Sequence, residues 1–300
     1  MTAILSLKNI SKSYGRIQAL KGVSFDVPQG AVFGILGPNG SGKTTLLGVV
    51  MDVLASNGGS YSWFGNPPTD KQRREIGSLL ETPNFYHYLS AQHNLEIAAA
   101  IKHKPVADIE RVLKMVRLYE RKDSKFQTYS LGMKQRLAIA SCLIGNPSVL
   151  VFDEPTNGLD PAGIAEIREL ILDLAAGGKT IILASHLLAE VEKVCTHVAI
   201  LQQGILIKSG DVKSALRQEE WMELGSAEME KLKIVLDRLP GVSKIISSGN
   251  HFQVYFNSPS PDPAWLNVHC FEQGIALNFL QPRKESLESA FIELTNNASN

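Results

Sequence analysis

Ala31-Val-Phe-Gly-Ile-Leu-Gly-Pro-Asn-Gly-Ser-Gly-Lys-Thr-Thr-Leu-Leu-Gly-Val-Val-Met51 is the stretch from which the rest of the chain can be read. Gly37 to Thr44 match G-x-x-x-x-G-K-[ST] at every fixed position. An apolar run, Ala31 to Leu36, precedes the match as a strand would, and Thr45 to Met51 continue it as a helix would. That order of strand, glycine loop and helix separates a phosphate loop from a chance glycine turn with an incidental lysine.

Gly37, Gly40 and Gly42 let the backbone curl with its N–H groups turned inward. Those donors and the positive end of the next helix form a cradle for phosphates, contributed by Gly37, Pro38, Asn39, Gly40, Ser41, Gly42, Lys43, Thr44 and Thr45. Lys43 is placed to reach β- and γ-phosphates, and Thr44 to put its hydroxyl on Mg²⁺. A second half of the site stands about 110 residues downstream, where Val149 to Phe152 form a continuously apolar run ending in Asp153-Glu154. Such a run reads as a buried parallel strand. Two adjacent acids at its end are costly unless they bind something, although a solvated strand-end turn would look the same in isolation. Asp153 is the expected Mg²⁺ partner, directly or through water, and Glu154 the expected general base for an attacking water. The pair of motifs makes the chain a nucleoside triphosphatase by expectation.

At 300 residues and 44% apolar, with 30 basic and 30 acidic side chains, the chain is an ordinary globular protein with a sizeable core. Balanced charge gives no broad attraction to nucleic acid, and none is expected as a partner. Cys142, Cys195 and Cys270 are odd in number and far apart, as reduced thiols are. Met1 to Val27 is interrupted by Lys8, Lys12, Arg16, Lys21 and Asp26, so no signal peptide is expected there. No apolar run approaches the length of a membrane span.

Alternating residues place strands at Ile4–Lys8, Ile17–Leu20 and Val23–Val27, with turns at Ser13–Gly15 and Pro28–Gly30. Residues from Leu89 to Gly145 are helical in pattern, strongest over Ala91–Ile101 and Val106–Leu118. After Glu154 the chain alternates again: helix from Pro161 to Ala176, strand over Thr180–Ala184, helix over Leu187–Cys195, then strands flanking Gln202-Gln-Gly204. This alternation predicts an α/β fold with a parallel sheet covered on both faces. Beyond about Ala215 the expected order is strand, helix, hairpin around Gly249-Asn250, helix, strand, and a last helix over Ser286–Thr295. It makes a small α+β domain in which no catalytic constellation is visible.

Further motifs then follow in a set order, and residues 4 to about 212, roughly 70% of the chain, resemble the ATP-binding subunit of an ABC transporter. The resemblance implies a P-loop ATPase core: a mixed sheet flanked by helices, an antiparallel β edge, and a helical signature subdomain over about 82–145. The expected domains are 1–212 for ATP binding and 213–300 as an α+β accessory. Tyr14, by itself a turn or core tyrosine, falls where the family stacks an aromatic on adenine. Tyr129-Ser-Leu-Gly-Met-Lys-Gln-Arg136 stands where the Leu-Ser-Gly-Gly-Gln signature belongs. Ser130, Gly132, Gln135 and Arg136 match it, and Tyr129, Leu131 and Met133 depart from it. In the family this segment binds the γ-phosphate held by a second subunit, which implies Ser130 and Gly132 acting in trans. Asp160, in Pro155-Thr-Asn-Gly-Leu-Asp160, corresponds to a dimer-interface loop and would also cap a helix before Pro161. His186 corresponds to the histidine that contacts the γ-phosphate and orients water.

Glu81 stands where most of the family carries glutamine. An ionised carboxylate only accepts hydrogen bonds, so Glu81 could serve as a metal ligand and catalytic residue in place of the amide, or be a surface acid. This variant is similar to a branch that includes bacitracin- and lantibiotic-type self-protection exporters. Residues Thr82 to Leu95 would then face the membrane partner. Phe85-Tyr-His-Tyr88 would either receive a short helix from it or pack internally. Glu285 to Thr295 resembles the close of ABC-2-type export subunits.

The resemblance implies ATP and Mg²⁺ as cofactors, a homodimer or paralogue heterodimer around two ATPs, and export through a separate integral-membrane permease. It also implies a cytoplasmic location, peripheral on the inner face of the membrane. A soluble ABC-type ATPase acting on nucleic acid or ribosomes is the alternative, as is a regulatory subunit. Against the first, only 48 residues separate Glu81 from Ser130, which leaves no room for a long coiled-coil insert.

Overall fold

The computed structural model describes residues 2–80, 84–212, 220–257 and 261–284. Glu81, Thr82 and the 285–295 ending lie outside the described residues. The chain divides into two compact units, one through Ala215 and one from Leu216.

The first unit opens with β1 (Ala3–Tyr14) and β2 (Ile17–Pro28), followed by β3 (Val32–Leu36) and α1 (Lys43–Val50). Next come β4 (Gly58–Trp63), α2 (Asp70–Arg73) and β5 (Ile76–Leu79). Helices α3 (Ala91–Ile101), α4 (Asp108–Met115) and α5 (Leu131–Leu143) form the helical part, with short 3₁₀ turns at Tyr119–Arg121 and Phe126–Thr128. It closes with β6 (Val149–Asp153), α6 (Pro161–Ala176), β7 (Thr180–Ser185), α7 (Leu188–Val194), β8 (His197–Gln202) and β9 (Ile205–Asp211).

Six strands form one sheet in the order β5-β6-β7-β3-β8-β9. All neighbours pair in parallel except β8 and β9, which are antiparallel. Every residue of β3 and β7 is buried, as expected of strands covered on both faces. A three-stranded antiparallel sheet, β2-β1-β4, shares one apolar core with β3 and α1. Trp63 is fully buried in that core, and its indole N–H donates to the Val50 carbonyl at 2.8 Å. That bond anchors β4 to the last turn of α1 while meeting the hydrogen-bond need of a buried indole.

The N-terminal strands are longer than their alternation suggested. β1 runs through Ser13 and Tyr14, and β2 continues through Gly22, whose φ of 78° makes a bulge and not a break. Helix α4 is shorter than expected, because Val116 leaves helical geometry and Arg117 turns at φ 56°.

The second unit contains β10 (Glu220–Ser226), α8 (Met229–Asp237), β11 (Val242–Ser248), β12 (His251–Phe256), α9 (Pro263–Glu272) and β13 (Leu277–Lys284). The strands form an antiparallel sheet in the order β11-β12-β10-β13. This β-α-β-β-α-β order is the ferredoxin-like arrangement. Met222, Leu224, Phe252 and Val254 alternate onto one sheet face and pack with Leu232, Leu236, Leu266 and Cys270 of the two helices. All three cysteines of the chain are free and buried.

Candidate ATP site

The phosphate loop joins β3 to α1. No side chain caps the start of α1, so its first N–H groups remain directed into the loop. Gly42, the N-cap, has φ 106°, and a Cβ there would come within 2.7 Å of the Ala19 carbonyl oxygen. Only glycine fits that backbone beside β2. Gly40 also takes a positive φ, 79°, at the exposed tip of the loop. Gly204, at the β8–β9 turn, donates its N–H to the Ser41 carbonyl at 3.0 Å and accepts from Lys21 N–H at 2.8 Å. The Gln202-Gln-Gly204 turn therefore braces the phosphate loop, a role that its turn composition did not signal.

Lys43 is buried, at 6% exposure, and donates to the carbonyls of Gly37 at 2.8 Å and Pro38 at 3.3 Å. Its ammonium stands 3.4 Å from Glu154 Oε1, and Glu154 Oε2 lies 2.9 Å from His186 Nδ1. The sheet order explains this convergence: β6 carries Glu154 just past its end, β7 carries His186, and β3 leads into the loop. Neighbouring parallel strands deliver their C-terminal ends to one side. Glu154 adopts φ 47°, uncommon for a residue with a Cβ, and its N–H is held by the Ala184 carbonyl at 3.0 Å.

Asp153 is part-buried at the end of β6. One of its carboxylate oxygens, Oδ1, is buried without a hydrogen-bond partner among the described residues. Burial pushes the Asp153 carboxyl above its usual range, while a hydrogen bond with Thr44 pulls it back and the Glu154 charge raises it further. A carboxylate oxygen buried and unpaired beside a threonine hydroxyl is chemistry suited to a hard cation. Among the described residues no cluster of three His, Cys, Asp or Glu side chains could hold a metal, so Thr44 and Asp153 would supply only part of a coordination shell. Ser41 Oγ is likewise buried without a partner among the described residues.

Tyr14 ends β1 and is 47% exposed. Its hairpin runs back along Ala19, the residue that abuts Gly42, so Tyr14 is carried on the strand pair flanking the loop. Ser130 caps α5, accepting from Met133 N–H at 3.3 Å. Among the described residues this hydroxyl bonds within its own helix and not to the phosphate loop. Gly132 has open space where a Cβ would be, and Leu131 is half exposed. The departure at Tyr129 is structural: the ring is buried and its hydroxyl donates to the Arg121 carbonyl at 2.6 Å. Asp160 caps α6, accepting from Gly163 N–H at 2.9 Å ahead of Pro161. The loop preceding it approaches the signature, since a Cβ on Gly158 would lie 3.4 Å from Leu131 Cδ2.

Phe85 packs edge-on against Phe126, whereas Tyr86 and Tyr88 are mostly exposed. Asn94 fixes this segment by accepting from Tyr86 N–H and donating to its carbonyl. A separate cavity of about 490 Å³, lined by Met51, Ile76, Lys102 and Pro147 among others, opens near the other end of the parallel strands. Among the described residues no helix is long and apolar enough to cross a membrane.

Comparison with known proteins agrees with this geometry. Residues 20–157 match the family model described as ABC transporter. An uncharacterized ABC transporter ATP-binding protein of Bacillus subtilis, YhcH, is 42% identical over 98% of this chain and 97% of its own. The bacitracin transport ATP-binding protein BcrA of Bacillus licheniformis is 34% identical over 98% of each. A solved ATP-binding cassette, dimeric in a post-hydrolysis state bound to ADP and Pi, superposes with TM-score 0.62 at 26% identity, covering 69% of this chain and 98% of its own. The ordered motifs, the convergence of Lys43, Glu154 and His186, and relatives alike along nearly their whole length lead to one conclusion: the chain belongs to the ATP-binding proteins of ABC transporters.

Proposed function

We propose that the chain is a Mg²⁺-dependent ATPase that pairs head to tail with a second subunit around two ATPs and drives export through a separate membrane permease. The Asp153 oxygen, buried and without a partner among the described residues, carries the catalytic part of this reading. Thr44 and Asp153 would hold Mg²⁺, which when bound would neutralise negative charge on the triphosphate. The loop N–H groups and α1 bind phosphate, and Lys43 leaves its carbonyl partners and Glu154 for phosphate oxygens. Glu154, freed from the lysine, accepts a proton from the attacking water, and His186 orients that carboxylate through its Nδ1 contact. Tyr14 stacks on the adenine. Glu81, outside the described residues, is proposed as a further carboxylate ligand for the Mg²⁺.

Pairing is supported by the signature itself. Ser130 and Gly132 present an exposed helix start, with Leu131 half exposed, to something other than their own loop. A dimer in which each signature covers the other subunit's ATP uses those features. Asp160, two residues beyond the Gly158 that approaches Leu131, is proposed to join the same interface, and nucleotide would favour the closed pair because it contacts both halves. Export and a peripheral position on the inner membrane face rest on the likeness to the bacitracin transport relative. Exposed Tyr86 and Tyr88 are the surface proposed for the permease.

The test is Mg²⁺-ATP turnover as a function of protein concentration, with and without chelator. Turnover that rises more steeply than linearly and is abolished by chelation supports the reading. Turnover strictly linear in protein and indifferent to chelator overturns it.

A further inference from the structure

We propose that Lys12 and Asn57 are positioning residues for nucleotide recognition. They clasp the base platform to the far end of the phosphate-loop helix. The inference rests on the reading of Tyr14 as the adenine platform.

Lys12 and Tyr14 are two apart on β1 and share a face. The Lys12 ammonium lies 5.3 Å from the Tyr14 ring centroid, within cation–π range, and donates to the Ala55 carbonyl at 2.6 Å. Asn57 bonds the same strand twice. Its side-chain oxygen accepts from Ser13 N–H at 2.7 Å, and its own N–H donates to the Ser11 carbonyl at 2.8 Å. Residues 55–57 follow α1, whose first residue is Lys43 and whose last is Val50, after a four-residue turn. On the other side of the hairpin, Ala19 abuts Gly42 and Lys21 bonds Gly204, which bonds Ser41. The hairpin bearing Tyr14 is therefore tied to both ends of the phosphate-binding element.

Tyr14 stands beside the tight turn at Gly15-Arg16 and is half exposed, so its packing alone leaves the ring free to change rotamer. A cation held on one face removes that freedom and leaves the opposite face for a flat base. Lys12 is itself held, since its ammonium is anchored on a carbonyl of a different segment. The clasp thus fixes the separation between the base platform and the phosphates, so that base and triphosphate are bound together without reordering the hairpin.

The experiment compares the affinity of ATP with that of inorganic triphosphate, which has no base, for wild type, Lys12→Met, Lys12→Arg, Asn57→Ala, Tyr14→Ala and the Lys12→Met/Tyr14→Ala double variant. Lys12→Met is expected to weaken ATP about threefold, the scale of one exposed cation–π contact, and to leave triphosphate unchanged. Asn57→Ala shifts the same ratio in the same direction, Lys12→Arg restores it, and Lys12→Met adds nothing once Tyr14 is alanine. If Tyr14→Ala weakens ATP while Lys12→Met does not, the clasp is overturned and the platform stands. Equal weakening of ATP and triphosphate by Lys12→Met also overturns it, as general support of the fold. If Tyr14→Ala itself leaves ATP affinity intact, the platform reading falls and the clasp with it.

Discussion

The phosphate loop and the signature segment each lead into a helix N-terminus, but they are finished to different degrees. At the loop, Lys43 is buried and already paired with Glu154, Glu154 is locked at an unusual φ, and Asp153 has an oxygen with no partner among the described residues. At the signature, Ser130 caps its own helix, Gly132 faces open space and Leu131 is half exposed. The first region is preorganised and electrostatically incomplete. The second is electrostatically quiet and sterically incomplete. A carboxylate charge that burial disfavours calls for a cation, whereas an exposed, self-capped helix start calls for a surface to cover it. The contrast suits a site whose chemistry is built in one chain and whose closure comes from another.

Glu154→Gln should break the first region most severely. Turnover is expected to fall by ~10²–10⁴, the usual contribution of a positioned base, with ATP still bound. Single-turnover kinetics together with ATP binding would show this, and near-wild-type turnover would remove Glu154 from the role. At the second region, Ser130→Glu places a like charge where phosphate is expected. Turnover should drop by ~10² or more while ATP binding to the isolated chain is unchanged. Loss of ATP binding by the monomer instead would mean that the signature acts within its own chain.

Asp153→Asn sharpens the comparison through stability. Because burial raises the Asp153 pKa, this group favours the fold most below its unfolded pKa, and that contribution is lost as pH rises through the folded value. At neutral pH the nucleotide-free Asp153→Asn variant should therefore melt higher than wild type, by ~2 °C, although it hydrolyses poorly. A lower melting temperature in thermal scans would contradict an unfavourable charge there.

Asp108 titrates in the opposite sense. The Arg111 guanidinium, at 2.9 Å from Oδ2, and the Gly145 N–H, at 2.7 Å, hold its carboxyl below the usual range. Its contribution is complete above the unfolded pKa of about 3.9 and is lost as pH falls through the lower folded value. Asp108→Asn should cost about 1.5 kcal/mol near neutrality and flatten the acid limb of the stability profile. An unchanged acid limb in pH-dependent denaturation would remove Asp108 as its source.

Much of the first unit was legible because its signals are local. A glycine loop between an apolar strand and a helix occupies one contiguous window, and an uninterrupted apolar run such as Val149–Phe152 reads as a strand buried on both faces. The meeting of Lys43, Glu154 and His186 was not legible from spacing alone. It depends on the sheet order β6-β7-β3, which no local pattern encodes. Strand lengths were understated where Gly22 bulges without ending β2. The Lys12–Ala55 and Arg111–Leu143 bonds escaped for a similar reason: each joins a charged side chain to a backbone carbonyl more than thirty residues away, and carbonyls carry no residue identity. Glu81 and the 285–295 ending stay as sequence readings, being outside the described residues.

Closure by a second subunit is the central claim, and mass in solution tests it most directly. The Glu154→Gln chain, which should bind ATP without consuming it, would be measured by sedimentation with and without Mg²⁺-ATP, alone and combined with Ser130→Glu. A monomer that becomes a dimer only with ATP, and stays a monomer when Ser130→Glu is added, is the predicted result. A monomer throughout, or a dimer indifferent to both ATP and Ser130, would contradict it.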